Sequence, residues 1–243
     1  MATLKEKLVH ILFPNRCAVC DRVIGPGAFV CRDCQPRLLS YARIRGARCE
    51  VCGFAARDCV CGKWRLYEKS VFPVFFEDDM RKSVLRFKYG GRLDKAEKFA
   101  FLVYRALLER GMLGGVDCVS FIPMAEKQRK KRGYNQAEEL AKALSALTEL
   151  PVEKLLYKCQ DTPAQHDQSA VKRQGNLLGV YEPYPEKADF IDGKTVLLVD
   201  DVITTGATAN EAAKTLLIFG AKAVFVAAAA GRRRLPDLKR QKA

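Results

Sequence analysis

Asp200 and Asp201 stand side by side at the end of an apolar run, Val196-Leu197-Leu198-Val199, and Thr204-Thr205-Gly206-Ala207-Thr208 follows them. Two adjacent carboxylates at the end of a buried strand can accept hydrogen bonds from vicinal hydroxyls. The small residues of the turn then open a helix. Its first N–H groups lack intrahelical partners and can hold a phosphate, and Gly206 lets the backbone come close to it. Strand, acid pair, small-residue turn and helix, in that order, suit a phosphorylated sugar. Two simpler readings compete. An apolar strand ending in Asp-Asp also fits a magnesium-binding Walker B strand, but that needs a Gly-x-x-x-x-Gly-Lys-[Ser/Thr] loop after an earlier strand. The chain offers only Gly193-Lys194-Thr195, with Ala188 where the first glycine belongs, and this precedes the strand. The other is an ordinary strand–turn–helix with acidic capping.

The segment closely resembles the phosphoribosyl pyrophosphate (PRPP) signature of type I phosphoribosyltransferases. A PRPP site also needs groups for the leaving pyrophosphate, which gains negative charge as the ribose carbon becomes cation-like; backbone donors, magnesium and basic side chains meet that charge. The strand end Phe121-Ile122-Pro123-Met124-Ala125 suits a pyrophosphate loop, with Pro123 and Met124 as candidates. Lys127, Arg129, Lys130, Lys131 and Arg132 come next, then Gly133-Tyr134-Asn135-Gln136. A basic, glycine-hinged segment here can close over a substrate and exclude water; a solvated basic loop is the plainer alternative.

Eight of the ten cysteines fall as Cys17-x2-Cys20, Cys31-x2-Cys34, Cys49-x2-Cys52 and Cys59-x-Cys61. A two-residue gap lets both thiolates of a knuckle reach one zinc ion. A disulfide framework fits poorly, because no secretory signal is visible. Sequential pairing would give one zinc on Cys17, Cys20, Cys31 and Cys34 and another on Cys49, Cys52, Cys59 and Cys61; interleaved pairing remains open. Cys118 and Cys159 read as small core or loop residues, and His10 and His166 have no partners at ligand spacing. A segment this short buries little apolar core, so metal would supply folding energy. Its arginines (Arg16, Arg22, Arg32, Arg37, Arg43, Arg45, Arg48) set nucleic-acid contact beside a docking or stability role.

The elements that must position these groups follow from periodicity. Residues 71–76, 118–122, 152–156, 196–200 and 223–228 read as strands, and 80–89, 93–110, 135–147 and 207–219 as helices, with Gly90-Gly91 breaking the first. Leu4, Leu8, Ile11 and Leu12 suggest a short amphipathic N-terminal helix. Alternating strands and helices imply a parallel α/β sheet that binds ligands at the carboxyl ends of its strands, where Asp200, Asp201 and Pro123 lie. The composition divides the 243-residue chain into 1–68, a 69–231 α/β unit and a basic 232–243 tail with Arg232, Arg233, Arg234, Lys239, Arg240 and Lys242. A net charge of +14 favours polyanionic partners. No apolar run reaches the ~18 residues of a membrane span.

Over nearly its whole length the chain resembles the ComF family. The double zinc ribbon, Lys88-Tyr89-Gly90-Gly91, Arg132-Gly133-Tyr134-Asn135-Gln136 and the set Thr162, Gln165, Arg173 and Asn176 carry the resemblance. Gln168 and Lys158-Cys159-Gln160 depart from the family's usual residues. The resemblance implies an α/β fold of the type I phosphoribosyltransferase kind, a parallel sheet flanked by helices, behind a small N-terminal zinc-ribbon domain. It also implies a bacterial cytoplasmic protein linked to uptake of transforming single-stranded DNA, working beside DNA-uptake helicase or translocase proteins. Asp200, Asp201, Thr204, Thr205, Gly206, Ala207 and Thr208 match its PRPP loop; Arg132, Gly133, Asn135 and Gln136 match its flexible-loop motif. The expected cofactors are zinc, and magnesium with PRPP. Three functions stay open: a phosphoribosyltransferase of unknown acceptor, a single-stranded-DNA-binding competence factor, and a PRPP-sensing regulator.

Overall fold

The computed structural model describes residues 14–41, 49–55, 59, 61, 65–159 and 179–232. The expected N-terminal helix, His10, Arg43, Arg45, Arg48, His166, the Thr162-to-Asn176 set and the tail beyond Arg232 lie outside the described residues.

Four strands form one parallel sheet in the order β1-β6-β5-β2: β1 Lys69–Val71, β2 Cys118–Phe121, β5 Thr195–Ile203 and β6 Ala223–Gly231. In the register, Val199 pairs with Phe121 on one side and Ala227 on the other. Helices α1 Asp78–Tyr89, α2 Asp94–Glu109, α4 Gln136–Thr148 and α6 Ala207–Ile218 surround it. The unbroken apolar run of β5 reflects burial on both faces, as parallel sheets require. Leu197 and Val199 pack with Phe99 and Val103 of α2 and Leu140 and Leu144 of α4. Val196 and Leu198 face the other way, onto Ala209, Ala212, Ala213 and Leu216 of α6.

Three elements differ from the expectation. The strand expected over 71–76 lies earlier, as β1, and ends at Val71 before Pro73, which cannot donate to a ladder; Phe75 then makes a single bridge to Gly231. The 152–156 strand reduces to a single bridge between Val152 and Val119. The chain then leaves the sheet, and β3 Leu156–Lys158 pairs antiparallel with β4 Tyr181–Pro183. The basic run expected as an open loop forms α3, Glu126–Arg132. It is made of good helix formers, and it ends at Gly133, whose φ of 88° suits the left-handed turn that stops a helix. A short α5, Ala188–Ile191, precedes β5.

The cysteine-rich segment packs onto both faces of the sheet. Cys17, Ala18, Val19, Cys34 and Tyr41 join the core beneath α2, while Cys52 and Phe54 join the core on the α6 side. Polar groups fix the first contact. The Lys95 ammonium, 1% exposed, lies 2.8 Å from an Asp21 carboxylate oxygen and donates to Ser83 Oγ at 2.9 Å. Ser83 in turn donates to the Ala18 carbonyl at 2.5 Å. The second contact rests on Arg110, which donates to the Ser70 carbonyl at 2.6 Å and to the Glu50 carbonyl.

Candidate functional site

The cysteines form two groups, Cys17, Cys20, Cys31 and Cys34, and Cys49, Cys52, Cys59 and Cys61, each with all four sulfurs within 4.8 Å of one another. This selects the sequential pairing. None of the eight is in a disulfide. Cys20 and Cys31 sulfurs lie 3.7 Å apart, as do those of Cys52 and Cys59. A tetrahedron built on ~2.3 Å zinc–sulfur bonds has edges of roughly 3.8 Å, so both groups fit zinc. The Cys31 N–H donates to Cys17 Sγ at 3.4 Å and the Cys61 N–H to Cys59 Sγ at 3.5 Å, which stabilises thiolate charge. Both are structural zinc sites: four sulfurs leave no open coordination position. Cys118 is buried in the core, as expected.

The acid pair sits where β5 emerges from the sheet. The Asp201 N–H donates to Asp200 Oδ1 at 2.7 Å. Burial, then the charge of Asp201, pushes the Asp200 carboxyl from 3.8 up to about 7. Asp201 turns the other way, and its Oδ2 lies 2.8 Å from the Lys88 ammonium at the end of α1. The two carboxylates are thus unequal: one is paired with a cation, the other is close to protonation at neutral pH.

Past the acid pair, Gly206 adopts φ 77° and caps α6, a left-handed geometry that glycine takes without strain. Thr205 Oγ1 accepts from the Ala207 N–H at 3.2 Å. Thr204, Thr205, Ala207 and Thr208 are exposed, whereas Gly206 is buried. What buries it is unexpected: the Arg65 guanidinium and the Tyr67 hydroxyl lie against its α-carbon.

The motif after α3 holds α1 in place. Asn135 donates to the Ile122 carbonyl at 3.0 Å and, as the N-cap of α4, accepts from the Ala137 N–H at 3.0 Å. Tyr134 donates to the Phe87 carbonyl, and Gln136 to the Lys88 carbonyl at 3.4 Å. Arg132 donates to Gln136 Oε1 and stacks on Tyr89, 4.7 Å from the ring centre. Through these contacts Arg132, Tyr134 and Gln136 hold the α1 terminus that carries Lys88 to Asp201, while Asn135 ties the start of α4 to Ile122. Lys131 is exposed on α3. Pro123 and Met124 line a cavity of about 430 Å³ with Arg129, Lys154, Tyr157, Lys158 and Tyr184.

Two side chains at the site were not picked out as site residues from the sequence. Lys88 belongs to the Lys-Tyr-Gly-Gly motif, so a signal existed. Arg65 carried none, since it meets Thr205 from 140 residues away.

Residues 130–243 match the phosphoribosyl transferase domain family, and residues 8–64 match the double zinc ribbon domain family. The sheet therefore extends upstream of the matched transferase segment, with β1, β2, α1 and α2 all before residue 130. The chain is 27% identical over 202 residues to Competence protein F of Haemophilus influenzae, covering 81% of this chain and 88% of the relative. It is 26% identical to Competence protein ComFC of Bacillus subtilis, covering 80% of each. It is 25% identical to DNA utilization protein YhgH of Escherichia coli, covering 88% of this chain and 95% of the relative. Among the described residues no helix is long and apolar enough to cross a membrane.

Proposed function

We propose that this ComF-family protein binds PRPP with magnesium at the carboxyl end of β5 and acts in the handling of transforming single-stranded DNA in the cytoplasm. The observation that carries the reading is the unequal acid pair followed by the Gly206 turn that caps α6. In this reading Asp200 and Asp201 accept hydrogen bonds from the ribose hydroxyls, and residues 204–208 cradle the 5-phosphate. Pro123 and Met124 border the pyrophosphate, with Lys131 and Arg132 nearby. The transferase unit spans 69–231, between a 1–68 ribbon and a 232–243 tail.

Magnesium would arrive with the substrate and would supply charge neutralisation for the pyrophosphate; the carboxylate oxygens of Asp200 and Asp201, the latter paired with Lys88, suit such a hard cation. The chain's own residues orient the ribose ring and meet the leaving-group charge. An acceptor then attacks the anomeric carbon from the opposite side, and pyrophosphate departs with the bonding electron pair.

Calorimetric titration of PRPP and magnesium into zinc-loaded protein tests the reading, with Asp201→Asn as control. Saturable binding lost in a folded Asp201→Asn protein is expected. Wild-type affinity in the variant would sink it. A second reading, single-stranded DNA binding, draws on the cavity beside Pro123. There the Tyr157 and Tyr184 rings lie 5.2 Å apart, and Lys154 sits 4.6 Å over Tyr184, a surface that suits stacked bases and a phosphate backbone. Its binding would fall steeply with salt, and salt-independent or absent binding counts against it. The names of the relatives, competence and DNA utilization, support the DNA context.

A further inference from the structure

We infer that Arg65 is a phosphate-binding residue of this site and that the second zinc cluster sets its position. The inference rests on the PRPP reading above and adds to it a residue from outside the transferase motifs.

Arg65 follows Cys61, the last ligand of the second cluster, by four residues. Its guanidinium donates to the Thr205 carbonyl at 3.2 Å. It packs so tightly on Gly206 that a Cβ there would collide with Nη1. The same guanidinium lies 4.8 Å from the centre of the Tyr67 ring and donates to its hydroxyl. Tyr67 is 2% exposed, and burial pushes its phenol up to about 12, so it remains a neutral acceptor at physiological pH.

The neighbouring backbone is pinned on both sides. The Leu66 N–H donates to Asn210 Oδ1 at 2.7 Å, and Asn210 belongs to the first turn of α6. The Glu68 N–H donates to the Val224 carbonyl at 2.9 Å, just before β1 begins. A fixed positive charge is therefore held against the turn that the helix N-terminus already makes favourable for an anion. A planar guanidinium can meet two phosphate oxygens at once, which an ammonium cannot.

On its other side the segment is anchored by the ribbon. Cys52 and Phe54 share the α6-side core with Tyr67, and the partly buried Cys59 and Cys61 pack against that core. Zinc at this cluster fixes the point from which the chain reaches Gly206. Without it, Cys59 and Cys61 lose their hold on the core that Tyr67 shares, and the guanidinium loses its fixed place. Zinc occupancy and phosphate affinity are then linked, although no thiolate touches the ligand.

The test is calorimetric titration of ribose 5-phosphate, and of PRPP with magnesium, into the full chain and into Arg65→Ala, Arg65→Lys and Cys61→Ser. Ribose without phosphate is the control, and thermal unfolding with zinc content reports folding. Arg65→Ala is expected to keep its fold and zinc and to lose affinity about tenfold or more for both phosphorylated ligands, with Arg65→Lys recovering part of the loss. Cys61→Ser is expected to weaken binding to a similar extent. Arg65→Gln replaces the alanine variant if that protein does not fold. Unchanged affinity in a folded Arg65 variant overturns the inference and leaves the PRPP reading standing. Wild-type affinity in Cys61→Ser overturns the zinc linkage. A wild-type protein that binds neither phosphorylated ligand overturns both readings together.

Discussion

Replacing Asp200 by Asn should stabilise the fold at alkaline pH and abolish PRPP binding. The carboxyl has an ordinary value of 3.8 and is pushed up to about 7 in the folded chain, by burial first and by the Asp201 charge second. A raised carboxyl favours the protonated folded state. The fold therefore carries no cost from this group below the unfolded value. It acquires that cost as pH rises, and carries all of it above about pH 7. At ~1.4 kcal/mol per pH unit the full shift corresponds to about 4 kcal/mol. Asp200 keeps part of its surface in water, which relieves part of that cost. A gain of roughly 1–3 kcal/mol at pH 8 is the expected outcome. Asparagine keeps the Oδ1 that accepts the Asp201 N–H, so no hydrogen bond is lost to offset the gain. Urea unfolding of both proteins at pH 4, 6 and 8 measures it: the advantage of the variant should be near zero at pH 4 and largest at pH 8. A pH-independent difference, or a variant less stable than wild type at pH 8, would refute the account of a strained acid pair held for ligand binding.

Lys95→Ala should cost about 1–3 kcal/mol in urea unfolding, because it removes a buried ammonium from Asp21 and Ser83 while Arg86 and Arg92 still face the Asp21 carboxylate; a cost under about 0.5 kcal/mol would show that this pair does not dock the ribbon. Lys88→Met should lower stability by about 1–3 kcal/mol by leaving two neighbouring carboxylates uncompensated, and Asp200→Asn should reverse part of that loss in the double variant. Gly206→Ala should weaken ribose 5-phosphate binding and lower the melting temperature, since the position combines φ 77° with a guanidinium against its α-carbon; an unchanged titration would mean that the turn is not the phosphate cradle. Elemental analysis of protein purified with zinc should give two ions per chain, and chelation should expose apolar surface on both faces of the sheet, read by dye binding.

The parts of this molecule that could be read from the sequence are those whose physics is local. The β5 core is an unbroken apolar run because both faces are covered, and the acid pair ends that run within a few residues of its turn and helix. The cysteine knuckles carry their spacing in the chain, and the sequential pairing was the simplest of the open choices. What could not be read is set by approach between distant segments. The Lys88-Tyr89-Gly90-Gly91 motif marks Lys88 but not its pairing with Asp201, and nothing near Gly206 points to Arg65. The basic run at 126–132 has the charge of a solvated loop and the propensity of a helix; propensity won, and Gly133 sets where the helix ends. The Val152 segment has the composition of a strand, yet it bridges the sheet at one residue before β3 turns to pair with β4.

The Arg132-to-Gln136 motif shows why a motif match and a residue's physical role must be argued separately. Its spacing beside a basic run suits a segment that closes on substrate. In the folded chain its side chains spend their hydrogen bonds on Ile122, Phe87 and Lys88, and the stacked Arg132 holds Tyr89. The consequence is a fixed α1 terminus and a lysine placed on one carboxylate of the acid pair. The ribbon side works in a parallel way, with a zinc cluster fixing the start of a short segment and Arg65 at its end meeting the turn. The acid pair and its turn lie on one strand and the helix that follows it. The cations that set their charge come from two other parts of the chain, each held by an anchor of its own.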